Sequence, residues 1–106
     1  MSSAIHIINS GITDDAWDNF ARTEKLKPES PLLVSDPSGK LLHSGWVEIA
    51  REDDVVTFST FHMGEALPQV ALLARKFWLA FGGEVHAAPQ LRELFLGSRE
   101  YTGHDN

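Results

Sequence analysis

The sequence predicts an α+β fold: a mostly antiparallel sheet of about five strands, two main helices and a short C-terminal helix, in the order β-α-β-β-β-α-β-α. Three observations carry this. Short apolar, β-branched runs are separated by turn signals over the first sixty residues. One long apolar stretch, at residues 68–81, repeats with helical spacing. A Gly-Gly pair then separates that stretch from a short strand-like run, and Pro89 follows.

Taken in order, AIHIIN (4–9) is β-branched and apolar and forms a first strand. SGIT breaks it, and Thr13 is placed to cap a helix whose first turn holds Asp14 and Asp15, where carboxylates suit the helix dipole. Ile12 and Trp17 have the spacing of a hydrophobic staple, and Trp17, Phe20 and Ala21 form one apolar face that fades near Lys25. Asp36-Pro37-Ser38-Gly39 has the residues of a type I turn, so strands are expected at 31–35 and 40–50 around it. REDD (51–54) is a second polar turn, and VVTFSTFHM (55–63) a third strand of a meander. Neither of its faces is purely polar, which implies cover on both sides or an interface on one.

Gly64 ends that strand and Pro68 suits a first helical turn. Val70, Leu73, Ala74, Phe77, Trp78 and Phe81 then share a helix face, and Leu72 and Leu79 widen it, so this helix should be largely buried. In KFWLAFGGEVHAAP (76–89) the glycines stop the helix, EVHA (84–87) is a strand with Glu84 and His86 on one face, and Pro89 opens QLRELFL, closed by Gly97. The polar stretch 98–106 reads as a frayed tail. At 106 residues, 1–106 form one domain, and 42% hydrophobic residues are enough for one modest core.

Composition narrows the function. Fifteen acids against nine Lys and Arg give a formal charge of -6, the acids lead in both halves, and no basic cluster exists. Nucleic acid and anionic membranes demand a basic face, so neither is an expected direct partner, whereas a basic protein is attracted to such a surface. There is no cysteine, hence no disulfide, thiolate metal site or cysteine nucleophile. The N-terminal residues lack the pattern of a signal peptide and no apolar run spans a bilayer, so a cytoplasmic protein is expected.

No motif for catalysis stands out. His6, His43, His62 and His86 fall on expected strands, but neither H-x-H nor H-E-x-x-H spacing occurs, and no metal site or cofactor is expected. A G-x-S-x-G elbow is absent, so no catalytic residue is assigned. INSGIT has the outline of an anion cradle without its glycine pattern or lysine, and a plain strand–helix connection explains it. What remains is a surface. Trp46 and Glu48 share a strand face, Phe58 and His62 are expected on the matching face of the next strand, and Glu52, Asp53 and Asp54 supply an acidic rim. Tryptophan is enriched at binding hot spots, so these seven residues are the expected partner-binding set.

The ending ARKFWLAFGGEVHAAP resembles the closing segment of several small α+β families of bacterial immunity proteins, over the last third of the chain. The resemblance implies a non-catalytic cytoplasmic protein that neutralises a bacterial toxin, such as a nuclease, by binding it; it carries over no residue roles. The alternative is a small α+β enzyme or ligand- or metal-binding domain built on the strand histidines. Self-association through a sheet edge or the Trp46 face is compatible with either.

Overall fold

The computed structural model describes residues 4–28, 40–61 and 66–103. The elements are β1 (Ala4–Ile8), α1 (Asp14–Thr23), β2 (Lys27–Pro28), β3 (Lys40–Ser44), β4 (Val47–Glu52), β5 (Val55–Ser59), α2 (Leu67–Phe81), β6 (Glu84–Ala87) and α3 (Pro89–Gly103). The six strands form one antiparallel sheet in the order β2-β3-β4-β5-β1-β6. The mixed α+β class and, roughly, the element order follow the sequence expectation; two of the six described strands are not in it, β2 at Lys27–Pro28 and the one made by a division of the run expected at 40–50.

The division comes from a turn inside the run expected as a single strand at 40–50. Ser44 pairs with Val47, so Gly45 and Trp46 are a two-residue hairpin loop. Gly45 takes φ 58°, the positive angle such loops need at their first position and which glycine adopts without steric cost. At the next hairpin Glu52 pairs with Val55, and Asp53 takes the same role at φ 53°. Arg51 and Glu52 thus belong to the strand rather than to the turn. The expected strand at 31–35 and the turn at 36–39 lie outside the described residues.

Helix α1 starts as expected. The Thr13 hydroxyl accepts from the Ala16 N–H at 3.1 Å, and Ile12 packs against the core cluster to which buried Trp17 belongs. It ends in a Schellman arrangement: Leu26 N–H donates to Ala21 C=O and Lys25 N–H to Arg22 C=O, with Lys25 left-handed at φ 61°. Leu26, which follows, is buried.

Helix α2 crosses the sheet over β1 and β5 and is the centre of the core. Phe77 is fully buried and meets Trp17, Phe20, Phe58 and Phe81 at ring-centroid distances of 4.9 to 6.4 Å. The apolar face is narrower than its sequence suggests: Leu72 is 37% exposed and Leu79 is 61% exposed. Helix α3 does not stop at Gly97 but continues to Gly103, so residues 98–103 are helical where a frayed tail was expected. It lies against α2 and β6. Buried Arg75 of α2 joins the two helices, its guanidinium 4.7 Å from the Trp78 ring centre and 5.3 Å from that of Phe95.

Candidate functional site

Strand alternation and the pairing register divide the sheet into two faces. Ile5, Ile7, Val47, Ile49, Val56 and Phe58 point into the core beneath the helices, and all six are at most 1% exposed. The core is one continuous cluster that takes in Trp17 and Phe20 of α1, the buried face of α2, and Leu91 and Phe95 of α3. All three helices therefore cover the same face. Among the described elements none covers the other.

The register names what lies on that second face. Along its middle, Leu41 is opposite Ala50, Ala50 opposite Thr57, Thr57 opposite His6, and His6 opposite His86. On one side of this row run His43, Glu48 and Ser59; on the other run Glu52, Val55, Ile8 and Glu84. The His6 ring Nδ1 and the Thr57 hydroxyl lie 2.9 Å apart, and the His86 Nε2 lies 3.1 Å from a Glu84 carboxylate oxygen. The face is thus amphipathic, with Leu41, Ala50, Val55 and Ile8 interleaved with hydroxyls, imidazoles and carboxylates.

The residues expected to form one binding patch are split by this geometry. Phe58 is a correction. It pairs with Ile49 and is fully buried against Phe77, because the register puts Ser59, not Phe58, beside Glu48. Trp46 is 44% exposed, but it sits in the β3–β4 loop, whereas Asp53 and Asp54 form the loop at the opposite end of β4. A strand rise of about 3.3 Å per residue separates the two loops by roughly 20 Å. Glu48 and Glu52 do lie on the uncovered face, Glu52 next to the acidic loop. His62 lies outside the described residues.

The acidic loop belongs to a larger grouping at one end of the sheet. Ile8 at the end of β1 pairs with Val55 beside that loop and with Glu84 at the start of β6, and Asn9 N–H donates to Asp54 C=O. The N-terminus of α1 is at the same end, since Asp14 bonds Arg51 of β4 at 2.8 Å. Glu52-Asp53-Asp54, Asp14 and Glu84 thus come together from three stretches of the chain, with Arg51 drawn in by Asp14. In the sequence these acids read as a helix start, a turn and a strand residue; the pairing of β1 with both β5 and β6, together with the Arg51–Asp14 ion pair, assembles them.

The glycine-rich joint and INSGIT turn out to be two sides of one structural clamp. The Asn9 amide donates to Phe81 C=O at 2.9 Å and Gly82 C=O at 3.0 Å, while its carbonyl oxygen accepts from Gly11 N–H at 2.8 Å. So occupied, the Asn9 side chain ties this loop to the end of α2. The signal was in the sequence as an Asn directly after a strand, but its partner is more than seventy residues away.

Among the described residues no group of three or more His, Asp or Glu is arranged to hold a metal ion. His6 and His86 stand opposite each other, but His6 bonds a threonine hydroxyl and His86 a carboxylate two residues away, neither of which makes a nucleophile–base–acid relay. Two cavities flank α2. One of about 250 Å³ is crossed by the Lys76–Glu24 ion pair at 3.1 Å; the other, of about 430 Å³, lies between the end of α2, β6 and α3, lined by Arg75, Trp78, Val85, Arg92 and Phe95. None of the described helices is long and apolar enough to cross a membrane.

Comparison with known proteins returns no matching family model, no similar curated protein and no similar solved structure.

Proposed function

We propose that the protein is a protein-binding module that docks a basic protein partner on the uncovered sheet face and its acidic end. The observation that carries this reading is the one-sided arrangement of the helices: three helices share one face, and the other, with Ile8, Val55, Leu41 and Ala50 on it, has no described element against it. Antiparallel sheets tolerate one wet face, but a mixed apolar and polar face bordered by like charge is the composition of a docking surface. The surplus of acids, -6 overall, sets the sign of the partner. Five carboxylates at one end steer a cationic surface onto the sheet and speed encounter at low salt. Within this class the reading is an immunity protein: an inhibitor that neutralises a toxin by occupying the basic surface with which a nuclease grips phosphate.

The test is recovery of the partner from the native cell, its identification, and titration of the purified pair. A basic protein is expected, with affinity that falls as salt rises. Reversing the acidic loop with Asp53→Lys and Asp54→Lys together should weaken binding by at least about tenfold, mainly through slower association. A complex insensitive to both salt and the reversal would sink the reading, as would turnover of a small substrate by the isolated chain.

A further inference from the structure

The two edges of the sheet are built differently. The β2 edge carries Lys27 and Pro28, both residues that discourage further pairing: proline has no N–H to donate and lysine brings charge. Strand β6 has neither. It pairs with β1 on one side, no described segment pairs with its outer side, and its side chains read Glu84-Val85-His86-Ala87. Glu84 is 70% and His86 53% exposed, and the two lie on the uncovered face.

We propose that this edge pairs with the same edge of a second copy, giving a two-fold symmetric dimer with a continuous antiparallel sheet. A two-fold axis normal to the sheet keeps the helices of both copies on one side, so only residues on the same face can stand opposite each other. For β6 that leaves two central registers. Centring on His86 sets two imidazoles against each other and leaves both glutamates without a counterpart. Centring on Val85 sets Glu84 opposite His86 of the second copy twice over, an arrangement in which the strand is its own charge complement. The second register is the one the side chains select.

The neighbouring helix extends the contact beyond four residues of strand. Helix α3 lies over β6 on the side away from the sheet centre, α2 having taken β1 and β5. The same axis brings the two α3 helices together, each with Leu96 48% exposed beside the 430 Å³ cavity that Val85 and Phe95 help to line. Pairing buries this apolar surface and doubles the uncovered face without obstructing it.

The experiment is sedimentation equilibrium on the full chain and on two single variants. The wild-type chain is expected at twice its 11.8 kDa mass at high concentration. Glu84→Lys places cation against imidazole and His86→Glu places carboxylate against carboxylate, each at both symmetric positions; each should weaken self-association by about tenfold. Mixed in equal amounts, the two variants complement each other. The lysine introduced by Glu84→Lys then faces the glutamate introduced by His86→Glu, while the unaltered Glu84 of one chain faces the unaltered His86 of the other. A heterodimer should therefore form where neither variant dimerises alone. This recovery does not depend on the Glu84–His86 pair within one chain. A wild-type monomer at every concentration, or a dimer that both variants leave unchanged, overturns the proposal. Either result leaves the docking face to be judged separately, by reversal of Asp53 and Asp54.

Discussion

Asn9 and Gly83 decide how the last turn of α2 meets the sheet. Gly82 ends the helix at φ 78°, its N–H donating to Trp78 C=O at 2.7 Å, and Gly83 follows at φ 125°. The two glycines are not equivalent. A Cβ at Gly82 would meet nothing within 4 Å, whereas one at Gly83 would lie 2.8 Å from both the Ile7 Cγ2 and the Ile8 carbonyl oxygen. Gly83→Ala combines a forbidden angle with a backbone collision and should destabilise by about 3 kcal/mol or more. Gly82→Ala has only the backbone conformation against it and should cost about 1–3 kcal/mol. Urea denaturation of both variants checks the order, and equal losses would mean that β6 can move away from β1. The sequence marks both glycines as a helix stop; the need for the second comes from β1, far away in the chain.

Helix α2 is the element on which the fold depends. Phe77 touches aromatic rings from α1, β5 and its own helix, so Phe77→Ala should cost about 3–5 kcal/mol. Leu79, expected on the same broad apolar face, is 61% exposed, and Leu79→Ala should change stability by no more than about 0.5 kcal/mol. Thermal or urea unfolding measures both. A large loss at Leu79 would show that something covers this side of the helix in solution. Periodicity locates such a helix well because the spacing is local, but the width of the buried stripe depends on what packs beside it. Here α3 covers the Arg75 and Trp78 side, leaving Leu79 outside, so an arginine is more buried than a leucine four residues on.

Across the molecule, one core joins all three helices to the sheet, with no second cluster among the described residues. Unfolding should therefore be a single cooperative transition, with tryptophan fluorescence and far-ultraviolet circular dichroism giving coincident curves. Separated curves would mean that α3 and β6 melt apart from the rest. The one-sided core is also what leaves the proposed docking face open: with three helices on one side, the chain has no described element left for the other.

Local sequence was enough for the class of fold, the cap of α1, the turn at Asp53, the helix stop at Gly82, and the acidity that sets the sign of the proposed partner, because each depends on composition or on neighbours a few residues apart. It was not enough to say which strand residues face the core. Side chains alternate with period two, so a shift of one residue in pairing exchanges the faces, and VVTFS carries apolar residues in both phases. Pairing with β1 and β4 resolved it, burying Phe58 and turning Thr57 and Ser59 outward. The pairing of β1 with β5 and β6, with the Arg51–Asp14 ion pair, brought acids from three stretches of chain to one end and set His6 opposite His86, contacts between residues too far apart in the chain for any local pattern to record.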